Sequence, residues 1–366
     1  MCDRFEVARR FAMAIRYGGE VDLASQSVNI ARSSVWSHLS STGLEISHDV
    51  LPTVASVLDD CCDRLLLPPD GVRGFVYAAP EIQASCMPID DQSCVIRLSS
   101  SLVEKFDDQE LAFIIGHELG HFLLGHGLAD EPERGTVEYF ALSRAQELSC
   151  DRIGLVSARN PDAALRSIMK MTSGLSADYL RFDIAAYLRD TMRTVKAYTE
   201  CNIAFATHPS MPVRTRCLLW FSQFAETHYP RFDSKEAQTD FEVLDHRVRS
   251  DVTRYVEKPV TSMIETTRRR VSSWIWLAAA VSDGKLSRRE QDTLTEKFGA
   301  DFVNKARRNF TGLSSDDVRL FVCERARAEI GELLTMAPST SKTFVDDEIN
   351  ASEIEFLPEG MKSVVR

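Results

Sequence analysis

His117, Glu118 and His121 stand in the order HExxH, so two imidazoles lie four residues apart with a carboxylate between them. On a helix that spacing puts both rings on one face, one turn apart, where they can reach a single metal ion. A helix is what the flanking residues predict. Asp107 followed three residues later by Glu110 has the form of a capping box, an apolar pattern continues from there, and Gly125 is a natural stop. Phe113, Ile114, Phe122, Leu123 and Leu124 supply the apolar side, while Gly116 and Gly120 leave room for a neighbour. The chemistry such a set can do is hydrolysis. A metal with three protein ligands keeps a fourth position for water, and Glu118 is placed to take that water's proton.

The third ligand must come from elsewhere, and two residues compete for it. His126 follows His121 by five residues, one position out of register with the HExxHxxGxxH pattern, because Leu124 and Gly127 stand where Gly and His would be needed. Its alternative place is the helix end, where an imidazole can bond free carbonyls at the negative end of the dipole. Glu147 lies in QELSCDRIG on a second predicted helix, with Asp151 one turn later on the same face, where it could bond a ligand histidine and fix its tautomer. Standing alone, Glu147 and Asp151 also read as a solvated helix face, and His208 with Pro209 as a turn. Cys150 reads as a buried free thiol, with a redox-sensitive one as the alternative.

Several blocks in order carry a resemblance: GHELGH at Gly116 to His121, a histidine five residues later, ELSCD, and THPSMPVR at Thr207 to Arg214. Together they resemble the HtpX and CAAX-prenyl-endopeptidase type of gluzincin zinc metallopeptidases, including their soluble, BepA-like relatives. The likeness spans roughly residues 49–225, including LSSSLVEKFDDQELAFIIGHELGH, which looks like that family's strand, short helix and active-site helix. The resemblance implies a bound Zn2+ held by His117, His121 and Glu147, with Glu118 as general base. It implies Asp151 as the partner of a ligand histidine, His208 as a stabiliser of the tetrahedral intermediate, and Arg214 as a residue that holds the site together. The substrate would be a protein or peptide, docked extended on an edge strand, for which residues 82–87 are the candidate. The sequence departs from that family in lacking its membrane helices, and in having QASCMP where relatives often carry an Asn-Ala edge-strand motif.

The elements that must position these residues are mostly helical. Periodicity predicts helices over 4–17 and 49–66, then three short strands over 72–78, 82–87 and 94–98, separated by PE and PIDDQS. Past the active-site helix, a polar stretch at 128–135 could gate a cleft, and helices are expected over 137–159, 161–172, 177–198 and 213–227. The fold class expected is α+β: a zincin-like domain over 1–258 with its core near 49–225, then an all-α accessory domain over 259–335. Residues 336–366, rich in Pro, Ser and acidic side chains, are expected as a mobile acidic tail. WIWLAAAVSDGKLSRREQDTLTEKFG, Trp274 to Gly299, resembles the TerB-like helical domains of tellurite-resistance and stress proteins, which implies an accessory module able to hold a protein partner. Two helices joined by a DG turn, with Ser287 and Glu290 forming a capping box, account for the same residues without a function.

Composition narrows the rest. With 366 residues, 44% hydrophobic and 27% charged, the chain has enough apolar material for a buried core and the length of two domains. A net charge of -11 argues against a phosphate-binding surface, and so against nucleic acid. No apolar run approaches the length of a spanning helix, so no membrane insertion is expected. Nine scattered cysteines without a CxxC pair read as reduced thiols in a cytoplasmic protein. The leading expectation is a zinc metalloendopeptidase, possible in protein quality control or stress response. Its rivals are an ImmA/IrrE-like peptidase that cleaves one repressor, and a non-catalytic scaffold on a degenerate peptidase fold.

Overall fold

The computed structural model describes residues 4–18, 39–126, 132–189, 206–254 and 258–356. They form two units, one of residues 1–131 and 141–257, the other of 132–140 and 258–366. The second unit thus takes in nine residues that the sequence reading assigns to the first domain.

The first unit holds a four-stranded sheet, β1 (Gly43–Glu45), β2 (Val72–Tyr77), β3 (Ala84–Asp90) and β4 (Ser93–Ser99), in the order β1-β2-β4-β3. β4 runs parallel to β2 and antiparallel to β3. Its central position explains its sequence: Cys94, Val95, Ile96 and Leu98 are all buried, as a strand covered on both faces requires. β3 lies at the sheet edge and extends three residues further than the sequence predicts. PIDDQS reads as a turn, yet Pro88 pairs with Cys94 and the strand continues past an irregularity to Asp90. An edge strand tolerates proline because one of its sides needs no ladder donor. β1 escapes sequence reading because it is three residues long and two of them are exposed, so no alternation marks it.

Helix α1 (Arg4–Ala14) precedes the sheet and α2 (Pro52–Arg64) lies between β1 and β2 in the chain. From β4 the chain enters α3 (Ser100–Lys105), whose N-cap Ser99 accepts from the Leu102 amide, and then α4 (Asp108–Leu123). The capping box of α4 forms as the sequence predicts, Asp107 accepting from the Gln109 and Glu110 amides and Glu110 reaching back to the Asp107 N–H. Glu110 is buried. Its remaining capacity is met by Lys170 Nζ at 2.6 Å and Arg166 Nε at 2.8 Å, which tie the start of α4 to α6 (Pro161–Ser173).

α5 (Val137–Ala158) crosses α4 at close range. A Cβ on Gly116 would collide with the Ser157 side chain, one on Gly154 would come within 2.7 Å of the Phe113 carbonyl oxygen, and one on Gly120 within 3.2 Å of Cys150 Cα. Three glycines therefore let the two backbones approach closely enough for side chains from both helices to meet around one point. Of the helix expected over 177–198, the described part has a 3-10 turn at Ala177–Tyr179 and a helical stretch at 184–189; residues 190–198 lie outside the described residues, as do 128–131 of the loop expected to gate a cleft. Two further helices, α7 (Met211–His228) and α8 (Lys235–Val252), complete the unit.

Within the second unit, α9 (Lys258–Ala280), α10 (Arg288–Phe298), α11 (Ala300–Phe310) and α12 (Ser315–Met336) enclose a core that includes Trp276, Leu277, Leu294, Val303 and Val322. The Ser287/Glu290 capping box is present at the start of α10. Of the tail expected over 336–366, the part Pro338–Phe356 is a helix, α13, and residues 357–366 lie outside the described residues. Phe344, Val345 and Ile349 form a narrow apolar stripe that packs with Val271, Ile275 and Leu333, and Glu348 accepts from Ser272 Oγ at 2.6 Å and Trp276 Nε1 at 2.7 Å. The Ser- and acid-rich composition of the segment masks that stripe. Among the described residues no helix is long and apolar enough to cross a membrane.

Candidate metal centre

α4 delivers His117 and His121 with their ring centroids 5.1 Å apart, and α5 delivers Glu147 and Asp151, both buried. The His117 Nε2 atom lies 3.4 Å from Glu147 Oε2, and His121 Nε2 lies 3.6 Å from Glu147 Oε1. Four donors arranged tetrahedrally at 2.0–2.2 Å from an ion would stand about 3.3–3.6 Å apart. Glu147 Oε2 is moreover buried and satisfied by no hydrogen bond. The groups nearest that oxygen are the Nε2 atoms of His117 and His208, at 3.4 and 3.2 Å, and a cation bound there would complete it. These two observations make His117, His121 and Glu147 a fit for a divalent metal.

The supporting contacts fix one ring firmly. His117 Nδ1 lies 3.1 Å from Asp151 Oδ1, leaving Nε2 on the Glu147 side. Asp151 in turn takes a two-pronged interaction from Arg214 of α7, Nε at 2.8 Å and Nη2 at 2.6 Å. Such a carboxylate holds the histidine tautomer and raises its basicity. Burial alone would push the Asp151 carboxyl up, but Arg214 and then His117 hold it well below the ordinary carboxylate range. For Glu147, burial is likewise outweighed, here by the adjacent His117 and His121 rings, and its pKa falls to about 2.

The two metal-facing histidines differ sharply. Burial would depress His117, yet Asp151 and Glu147 together push it up to about 10, whereas burial and the neighbouring His117 bring His121 down to about 4. At neutral pH, without an ion, His117 therefore holds one proton more than its metal-bound form can, between two carboxylates. A metal taking Nε2 must displace it. His121 is already neutral and Glu147 already ionised, so neither adds a proton above pH ~5. Metal binding between pH 6 and 8 is expected to release about one proton and to weaken about ten-fold per pH unit lowered. Calorimetry in buffers of different ionisation enthalpy checks this; release of no proton would contradict it.

Glu118 faces β3. The Cys86 backbone N–H donates to its carboxylate, and burial raises its pKa above the ordinary value, although His117 and this bond oppose the rise. Among the described residues β3 pairs with β4 alone, so it is an edge strand of the sheet. The strand that the sequence reading placed at 82–87 thus has the site beside it.

His208 lies in the turn before α7, more than half exposed, with Nε2 3.2 Å from Glu147 Oε2 and Nδ1 2.9 Å from Thr207 Oγ1. Arg144 on α5 donates to the Ala206 carbonyl at 3.1 Å and so anchors this turn. The structure brings His208 beside the trio but not into it: the donor atoms that cluster are those of His117, His121 and Glu147. His126, weighed as third ligand or as helix end, occupies neither place alone. Its ring lies on the far side of His121, Nδ1 to Nδ1 at 3.0 Å, with Cys150 Sγ 3.5 Å away.

Known proteins bear on this geometry. Residues 52–131 match peptidase family M48. This M48 segment includes His117, Glu118, His121 and His126, whereas Glu147, Asp151, His208 and Arg214 come from beyond it. A curated relative, the chloroplastic plastoglobule-localized metallopeptidase 48 of Arabidopsis thaliana, is 27% identical over 142 residues, which cover 34% of this chain and 41% of that protein. No solved structure matches the chain. M48 peptidases are metal-dependent, and the match covers the segment that carries both candidate ligand histidines.

Proposed function

We propose that the chain is a zinc-dependent metalloendopeptidase of the HtpX-like kind, with His117, His121 and Glu147 as ligands and Glu118 as general base. The observation that carries this reading is the buried Glu147 carboxylate facing the Nε2 atoms of both His117 and His121, one of its oxygens without a hydrogen bond, with the Glu118 carboxylate beside β3. A bound zinc ion would polarise the scissile carbonyl and acidify water. Glu118 takes the proton from the attacking water and returns it to the leaving amine, a task favoured by a carboxylate whose pKa burial has raised toward neutrality. The Cys86 N–H holds that carboxylate in position. An extended substrate adds to the free edge of β3 through backbone hydrogen bonds, a mode that reads little sequence. His208, on the exposed turn before α7 and beside Glu147, donates to the developing oxyanion.

The second unit, with its TerB-like sequence, is an accessory module for a protein partner. Cleavage of an unfolded generic protein, abolished by a chelator and restored by zinc, tests the reading. Cleavage untouched by chelation would contradict it.

A further inference from the structure

α4 ends in a motif that the sequence hides in GHELGHFLLGH. Gly125 is left-handed, with φ +65. The His126 amide bonds back to the His121 carbonyl at 3.0 Å and the Gly125 amide to the Phe122 carbonyl at 3.1 Å, the paired six-to-one and five-to-two bonds of a Schellman cap. Such a cap folds the residue after the glycine onto the last turn of the helix, where an apolar contact usually forms. Here the two residues so joined are His121 and His126, their ring centroids 5.0 Å apart and 74° from parallel.

From this geometry we propose that His126 is a positioning residue, whose Nδ1 accepts the ring proton of His121 and so presents His121 Nε2 to the metal. The inference rests on the metal site proposed above and goes beyond it. His121 Nε2 is the nitrogen that faces Glu147, so a metal held there leaves the ring proton on Nδ1. The atom opposite that proton is His126 Nδ1, 3.0 Å away. It must be unprotonated to accept, which puts the proton of His126 on its own Nε2. The two ligand histidines are thereby oriented by different chemistry, His117 by an anion bonded to Arg214 and His121 by a neutral imidazole. Cys150 Sγ lies 3.5 Å from the same His126 nitrogen, whose one lone pair goes to the closer His121 N–H.

The alternative use of this corner is a second metal held by His121, His126 and Cys150, whose donor atoms also lie close together. It requires the His121 Nδ1 lone pair. That lone pair is absent while Nε2 binds the first ion, unless the ring loses both protons.

The test compares wild type with His126→Phe and His126→Gln. Phenylalanine keeps the apolar contact usual in such a cap and removes the acceptor, whereas the glutamine carbonyl can accept. Zinc affinity measured by chelator competition is expected to fall about 10- to 100-fold in His126→Phe, the range seen when a ligand's hydrogen-bonding partner is lost. Most of it should return in His126→Gln. Long-range nitrogen–proton NMR of zinc-loaded wild type is expected to show His121 protonated on Nδ1 and His126 on Nε2. Tight zinc binding unaltered in His126→Phe, or a His126 protonated on Nδ1, would overturn this inference alone. So would a second zinc or cobalt equivalent bound with a thiolate charge-transfer band that Cys150→Ser removes. A wild type that binds no zinc would overturn it together with the metal site.

Discussion

Glu118→Gln is expected to lower the rate of peptide hydrolysis by about 10²–10⁴-fold, the contribution of a positioned general base. Metal content and unfolding behaviour should be unchanged. The amide has the shape of the carboxylate, and it can still accept from the Cys86 N–H that holds the side chain against β3. It cannot take a proton from water. Glu118 is separate from the trio of clustered donors, so the loss should fall on turnover rather than on zinc affinity. Steady-state kinetics on an unfolded protein substrate, with zinc measured in the same preparations, checks both halves. A variant that cleaves at the wild-type rate would remove Glu118 from the mechanism.

The second large effect concerns stability. Arg214→Met leaves Asp151 buried, ionised and without its guanidinium, and breaking one side of such a pair typically costs about 3–5 kcal/mol. Both side chains are nearly inaccessible, at 13% and 2% exposure, so solvent offers little compensation. Urea unfolding with a chelator present isolates this loss from metal binding. Asp151→Asn in the Arg214→Met background should recover part of it, because the stranded charge is gone. The pH dependence has a definite sign. A carboxyl held below its ordinary value stabilises the fold above that value and ceases to do so as pH falls toward its depressed one. Wild type should therefore lose stability on acidification through the range below pH ~4, and the double variant should lose less. An Arg214→Met protein as stable as wild type would mean that Asp151 is not held as the structure shows.

What could be read from sequence and what could not divides along physical lines. The spacing of His117 and His121, the Asp107/Glu110 box and the stop at Gly125 are local features of one helix, and local chemistry is visible in local sequence. Glu147 and Asp151 could be named as candidates on α5, but nothing in their own segment distinguishes a ligand from a solvated face. That distinction depends on how closely α4 and α5 approach, which Gly116, Gly120 and Gly154 permit. For His126 the sequence offers helix carbonyls or a metal as partner, and the structure has its backbone amide on the helix carbonyl while its ring turns to His121. A glycine one residue before it was the available signal. The β3 boundary was misplaced because Pro88 reads as a breaker, although an edge position accommodates it. The helix α13 was missed because Phe344, Val345 and Ile349 form too narrow a stripe to stand out from their polar neighbours, and its partners lie some 70 residues earlier on α9.

The most direct measurement is zinc per chain in freshly purified protein, with Glu147→Ala prepared identically beside it. Glu147 has a buried oxygen without a hydrogen bond, faces both His117 and His121, and lies on a helix outside the M48 match. A closed set of three ligands predicts about one zinc per wild-type chain and much less in the variant, with both proteins folded. Full zinc in Glu147→Ala would contradict the ligand set, and folded wild type with little zinc would contradict the metal centre itself.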